Sequence, residues 1–549
     1  MGRSGRIIRR SIGGLLGLVA VGGVAGYWYE RPILLTATGY AAHNECAVRE
    51  IAGRDDPASD LPDNPLVPYL RGSVDGAETT GSLWGVLARQ KAWYTEGFGC
   101  TVAAEKPRLG SATTLGVKGN PFARVPTPTP RTAVAKAIGK AFGDDLPADQ
   151  HNALGTRGIV VLHKGKIVGE RYADGFTAAT PQLGWSMAKS VTNLLVGRLV
   201  AEGVLSVDEA KLRPEWSGQK AEITIDQLMR MTSGLSWDET YALGTPVTRM
   251  LYREKDMGAY AAGLDIRHTP GTYQQYSSGS TNILCSVLTA RTGVKADLPR
   301  QKLFAPLGLS SAVWEPDATG NPVCSSYLWA TPRDWAAIGQ FALQDGEWGG
   351  EKLLPPGWMA RSSTSQQVEK TEEPGYAAGW WANRAADGTL VAPSVPADAY
   401  WAQGHDGQRV YVVPSADLVV VRLGFSPSIE SKDLRTDALV ADLVTALGTS
   451  RWLGGRVRTC ARTSLPNRCR LSDGRPPGRR RPGSSRSFVS MPSSSGTSPA
   501  FRSPSFRAAS CSLSFCRSMF ATIPNSPMRM TRRAPTNCAP SCAASRSAS

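Results

Sequence analysis

Gly184-Trp185-Ser186-Met187-Ala188-Lys189-Ser190-Val191-Thr192-Asn193-Leu194 sets Ser186 and Lys189 in the order Ser-x-x-Lys. An apolar pattern of helical spacing follows at once, through Val191, Leu194, Leu195, Leu199 and Val200. Residues three apart share one face of a helix. Ser186 is therefore expected in the first turn, with the Lys189 ammonium folded back beside its hydroxyl. A serine is a poor nucleophile until a base takes its proton, and a neutral lysine can serve. Lysine titrates near ~10.4, so neutrality at pH 7 requires surroundings that disfavour the ammonium by roughly 4 kcal/mol. Burial near another basic group would supply that. Taken alone, Ser-x-x-Lys also describes a capped helix with a surface lysine.

Working outward, Gly158 to His163 and Lys166 to Ala173 read as a β-hairpin around a Lys164-Gly165 turn. Thr132 to Phe142 reads as a helix before it. Ile223 to Leu235 reads as a helix stopped by Ser233-Gly234, and Trp237-Asp238-Glu239-Thr240-Tyr241 comes directly after. Tyr276-Ser277-Ser278-Gly279 then opens a further helix. Gly404-His405-Asp406-Gly407-Gln408 stands between a short aromatic stretch, Ala399 to Gln403, and a strand, Arg409 to Val413. Leu418 to Leu423 reads as the next strand and Asp437 to Leu447 as a closing helix. Each piece has an ordinary reading when taken singly: a packed tyrosine, a surface histidine, a core tryptophan. Their order along one chain favours chemistry.

Ser-x-x-Lys, Tyr-x-Ser and His-x-Gly, in that order, resemble the motifs of the serine β-lactamase and penicillin-binding-protein superfamily. The chain is most similar to its class C-like branch, which includes esterases, D-amino-acid peptidases and 6-aminohexanoate-dimer hydrolases, and together the four motif stretches look most like the last group. The resemblance runs from about Gly158 to Leu447. It implies an α/β fold of the α+β sandwich kind, with an antiparallel sheet flanked by helices and a mostly helical subdomain at about Leu205 to Val395. It also implies an enzyme, a serine hydrolase cleaving an amide or ester through an acyl-enzyme. Ser186 would be the nucleophile, Lys189 its base, and Tyr276 would share the proton and pass it to the leaving group. The oxyanion hole would be the backbone N–H groups of Ser186 and Gln408. Gly407 would allow close backbone approach, and Tyr241, Trp237, Ser278 and Asp406 would face substrate. His405 stands where penicillin-recognising members usually carry lysine, and Ser278 where they carry asparagine. Both departures favour an ester or amide hydrolase over a β-lactamase or peptidoglycan peptidase, the alternative within enzymes. A non-catalytic binding module of the same fold is the alternative outside them. No cofactor is expected. No metal site is expected either: the five histidines are scattered, with no H-x-x-x-H or C-x-x-C.

The net charge of +16 over 549 residues misleads. The part from Arg451 onward carries 18 Arg, one Asp, and neither Lys nor Glu, a net of +17, so the rest of the chain stands at −1. A nucleic-acid partner is therefore not expected for the folded body. Residues 450–549 lack apolar patterning, are rich in Arg, Ser and Pro, and hold six of the ten cysteines. Such a segment does not bury enough apolar surface to fold. It reads either as a basic arm or as out-of-frame translation of a GC-rich gene.

At the other end, Arg3, Arg6, Arg9 and Arg10 precede an uncharged run, Ser11 to Tyr29, ending in three aromatic residues. That order is expected of a membrane anchor with its N-terminus inside. A cleaved signal peptide is the competing reading. Both export the body, to the periplasmic side. The expected divisions are 1–32 anchor or signal, 33–130 extension and linker, 131–449 hydrolase domain and 450–549 tail. Pro126 to Pro130 (PTPTP) marks the linker. Cys46 and Cys100 are either a disulfide or two free thiols, and Cys285 reads as core.

Overall fold

The computed structural model describes residues 3–62 and 64–448. The expected tail lies outside them. The chain opens with helix α1 (Arg3–Glu50), which contains Pro32. The expected anchor, Ser11 to Tyr29, falls mostly outside the residues whose side chains are described. Among the described residues no helix is long and apolar enough to cross a membrane.

A four-stranded antiparallel meander follows: β1 (Leu70–Asp75), β2 (Glu78–Leu83), β3 (Leu87–Thr95) and β4 (Gly99–Val102). It packs on α1 through Ala42, Ala47 and Ala92, and a Cys46–Cys100 disulfide joins helix to sheet. Residues 33–130 are fastened to the body rather than strung before it. Glu315 of the body, fully buried, accepts hydrogen bonds from Cys100 N (2.8 Å) and Trp329 Nε1 (2.9 Å) and pairs with His43 Nε2 (2.8 Å). Pro126 to Pro130 is not a free spacer. Thr127 Oγ1 donates to Glu170 at 2.5 Å, and Arg333, paired with that same Glu170, donates to Val125 O at 2.7 Å.

The body then builds helix α2 (Thr132–Phe142), strands β5 (Thr156–His163) and β6 (Lys166–Tyr172), and helices α3 (Met187–Ala201), α4 (Ser278–Thr292) and α5 (Pro332–Leu343). It ends with strands β7 (Trp381–Ala382), β8 (Tyr400–Gly404), β9 (Gln408–Val413) and β10 (Leu418–Gly424) and helix α6 (Thr436–Ala446). The last four strands and the hairpin form one sheet in the order β7-β8-β9-β10-β5-β6, with antiparallel neighbours throughout. The fold is α/β, an antiparallel sheet flanked by helices, as expected. The Lys164-Gly165 turn has φ of +51° and +67°, the positive pair that a tight two-residue hairpin requires.

Both sheet faces are covered, so its central strands are nearly continuous apolar runs. Ile159, Val161, Tyr411, Val413 and Val420 meet α2 and α6 on one face. Val160, Leu162, Val410, Val412, Val419 and Val421 meet the other core, built around α3 and α5. Each such side chain contributes about 1.5–3 kcal/mol on burial. Helix α3 is buried on nearly all sides, and its buried polar residues Lys189, Ser190, Thr192 and Asn193 each make a hydrogen bond.

One local expectation is corrected. The helix after Ile223 covers only Ile225–Met229, held at its start by a Thr224/Gln227 capping box. Met231 takes φ +61° and ends it early, so that the chain can run beside 265–268, where Arg267 and His268 N–H donate to Gly234 O. Cys285 lies in the core, as expected, and is bonded to Cys324.

Candidate active site

Ser186 is the N-cap of α3. The residue before it, Trp185, has φ +48°, a strained region for a bulky side chain. Such strain often marks functional turns, and here it lifts Ser186 out of the strand-to-helix turn into an open cleft of about 530 Å³. Strand β8 closes one side. At Gly404 a Cβ would collide with Gly184 O, so the missing side chain lets the strand end lie against the Ser186 turn.

Lys189 Nζ lies 2.9 Å from Ser186 Oγ, 2.9 Å from Ser278 Oγ and 3.0 Å from Ser325 O. Its residue is 2% exposed. Burial pulls the amine down to about 8, and the nearby Glu239 carboxylate opposes that pull. The shift does not come from the basic neighbour expected: burial lowers the amine, against an acid. At pH 7 roughly one lysine in ten is then neutral.

Glu239 is a member of the site that sequence reasoning passed over. Its carboxylate accepts from Ser278 Oγ (2.5 Å), Ser278 N (2.8 Å) and Trp237 Nε1 (2.5 Å). The Ser278 N–H belongs to the first turn of α4, where a carboxylate is favoured. The available signal was an acid inside an aromatic stretch, two residues from each of Trp237 and Tyr241.

These bonds correct two expected roles. Ser278 does not face the substrate space: it is fully buried and bridges Lys189 to Glu239. Trp237 is not a cleft wall either. It is buried, its ring fills the space at Gly279, and its indole holds Glu239.

Tyr276 lines the cleft beside Ser186, with Lys189 Nζ 4.8 Å from its ring centroid. Burial raises its phenol well above the ordinary value, Tyr376 and Glu239 add to this, and Ser186 opposes it. The phenol is therefore a proton-holding group. Tyr376 and Trp381 pack against its ring at 5.4 and 6.0 Å. Trp381 and Trp401, neither singled out from sequence, form the cleft's apolar wall with Val391.

The turn after β8 departs from expectation. Gln408 N–H donates to His405 O, and the Gln408 side chain is buried against Gly424, 2.5 Å from its O and 3.0 Å from its N. That N–H is spent inside the turn and cannot serve an oxyanion. Among the described residues, the N–H groups of Ser186 and His405 donate to no recorded acceptor. Both residues line the cleft, so His405 N–H replaces Gln408 N–H as the second candidate donor. Gly407, at φ +86°, is needed for a different reason from the one expected. A Cβ there would strike the Arg422 guanidinium, which donates to Gly407 O at 2.8 Å from beneath.

The His405 side chain is 43% exposed. Its ring stacks on Tyr241 at 4.7 Å and 11° and meets Trp185 edge-on at 5.7 Å. Asp406 also lines the cleft, at φ +55°. Its Oδ1 is buried without a hydrogen bond, 3.4 Å from His405 Nε2. Burial pushes its carboxyl up, against the pull of His405. No group of metal-ligating side chains occurs among the described residues.

A family model described as Beta-lactamase matches residues 145–444. The 6-aminohexanoate-dimer hydrolase of Paenarthrobacter ureafaciens is 22% identical over 305 residues, covering 50% of this chain and 74% of the relative. Protein flp of Staphylococcus aureus is 25% identical over 258 residues, covering 41% of this chain and about half, 51%, of its own length. Among solved structures, a Bacillus anthracis protein described as a 6-aminohexanoate-dimer hydrolase superposes with TM-score 0.50 at 24% identity. It covers 61% of this chain and 91% of that protein. At that identity the likeness speaks to fold alone.

Proposed function

We propose, from the premise that this chain belongs to the Beta-lactamase family of serine hydrolases, that it cleaves an amide or ester through an acyl-enzyme on Ser186. One observation carries the reading: a buried lysine amine, lowered to about 8, lies 2.9 Å from the hydroxyl of a serine that opens into a cleft. Neutral Lys189 takes the Ser186 proton as Oγ bonds to the substrate carbonyl carbon. The carbonyl electrons move onto oxygen, and Ser186 N–H and His405 N–H are the donors that would meet them. Collapse breaks the bond to the leaving group, which takes its proton from Lys189 through Tyr276. Water, deprotonated along the same route, then releases the acid and restores Ser186.

The half-exposed His405, in place of a lysine ammonium, supports a neutral ester or amide over a penicillin carboxylate. Two disulfides, Cys46–Cys100 and Cys285–Cys324, support export to an oxidising compartment. If the chain is exported, peptide mapping of denatured, unreduced protein finds these four thiols protected. Ready alkylation of all four counts against export.

Intact-mass measurement after a fluorophosphonate, an activated ester and a penicillin, with Ser186→Ala as control, tests the chemistry. An adduct or ester turnover lost in the variant is expected. Rapid penicillin labelling would move the reading to a penicillin-recognising enzyme. Folded protein with neither adduct nor turnover would leave a binding module.

A further inference from the structure

A second cavity, of about 90 Å³, lies behind the catalytic cleft. Tyr241 and His405 line both spaces, so their stacked rings form the partition between them. Trp185, next in sequence to the nucleophile, lines the rear chamber. The far wall comes from outside the segment the family model matches. Ala37, Leu66, Val67 and Leu70 belong to α1 and to the stretch leading into β1, and Leu243 faces them from the body.

The chamber asks for an apolar occupant. Most of its polar lining groups are committed elsewhere; Tyr241 Oη, buried without a hydrogen bond, is an exception. Thr36 Oγ1 donates to Ile33 O (2.6 Å), Tyr40 Oη to Asp60 O (3.2 Å) and Thr248 Oγ1 to Ala242 O (2.9 Å). Asn64 Oδ1 accepts from Leu66 N at 2.9 Å. A ligand entering would find aliphatic surface and aromatic edges. That single free hydroxyl falls short of the two to four polar partners an ordered water needs. Its volume equals that of about three waters of the liquid, enough for the end of a short alkyl chain. The front cleft differs: Glu239, Glu373 and Asp406 all line it.

We propose that this rear chamber receives the apolar end of the substrate's acyl chain, reached past the Tyr241–His405 pair while the carbonyl sits at Ser186. The proposal rests on the hydrolase reading above and narrows its substrate class to esters or amides of short to medium aliphatic acids. The acyl chain, rather than the leaving group, is assigned to the chamber because it stays bonded to Ser186 Oγ, beside Trp185, while the leaving group departs through the open cleft. An extension outside the family segment would thereby set chain-length preference for a family reaction.

Full-length protein, with Ser186→Ala as blank, is assayed on p-nitrophenyl acetate, butyrate, hexanoate and octanoate. The companion series is hexyl, butyl and ethyl acetate. A methylene in an apolar pocket is worth about tenfold in specificity. Wild type should therefore favour butyrate or hexanoate over acetate by tenfold or more. Leu66→Trp, which fills the chamber, should remove that preference. Leu66→Ala, which enlarges it, should move the optimum toward octanoate, so the test does not depend on one variant folding. Equal loss on all acyl chains, or no change in either variant, overturns the proposal. A response confined to the alcohol series overturns the acyl assignment. If Ser186→Ala keeps wild-type turnover, the hydrolase reading itself has failed. Turnover lost in that variant with a flat chain-length profile defeats the chamber alone.

Discussion

The two walls of the catalytic cleft are built on different physical terms. On the Lys189 wall the polar groups are paired, in a chain running Ser186, Lys189, Ser278, Glu239, Trp237, with Lys189, Ser278 and Trp237 buried. On the wall made by the 404–408 turn, His405 is half-exposed, Asp406 holds a left-handed backbone, and its Oδ1 lacks a hydrogen bond. A satisfied buried network rigidifies its members and raises the stakes of removing one. A strained turn keeps backbone donors free for something that arrives later. The first wall prepares the nucleophile, and the second leaves room for the charge that forms on substrate.

The sharpest test of this division is Ser186→Ala, expected to lower ester turnover by about 10⁴-fold or more. Lys189→Met should lose nearly as much, because groups acting as a unit are not additive. Its melting temperature should fall only slightly, because release of a strongly desolvated amine offsets the bonds lost to Ser278 Oγ and Ser325 O. Inactivity with a sharply lower melting temperature would mean that Lys189 acts as scaffold.

On the turn wall, His405→Pro removes the candidate N–H and should reduce kcat by roughly 10²-fold. His405→Ala keeps that N–H and should cost far less. Equal losses would assign the role to the imidazole.

A smaller effect is expected from Glu239→Gln. Wild-type kcat/KM should rise with pH through about 8, as Lys189 becomes neutral. Glu239 pulls that value upward, so the variant's rising limb should lie at lower pH. A limb displaced upward would contradict the geometry.

The smallest is Asp406→Asn, read by melting temperature against pH. The folded-state value of Asp406 is raised above its ordinary 3.8. Its contribution is therefore fully present below that value and lost as pH rises through the folded-state value. The asparagine variant should lack this decline.

What the sequence disclosed follows the same division. Ser186 and Lys189 were legible because a helix fixes the relation of residues three apart, whatever surrounds it. The hairpin around Lys164-Gly165 was legible because few residues accept positive φ twice in succession. Gln408 was misassigned because a turn's hydrogen-bond register depends on which residue goes left-handed. Asp406 does so here, and Arg422, 16 residues further on, supports the loop from below. Glu239 and Ser325 reach the site from separate loops and Trp381 from the two-residue edge strand β7, and no local period marks them. Residues 33–130 resisted reading for a related reason: their partners, Glu315, Asp334 and Arg300, lie far along the chain.

That last arrangement sets a timetable for synthesis. His43 meets Glu315 across 272 residues and Cys100 N meets it across 215. At translation rates of about 5–20 residues per second, the first helix and its meander wait on the order of tens of seconds for the carboxylate that anchors them. During that wait Cys46 and Cys100 already lie together on one nascent segment, 54 residues apart. Their bond is thus available to hold the front of the protein in shape until the rest of it exists.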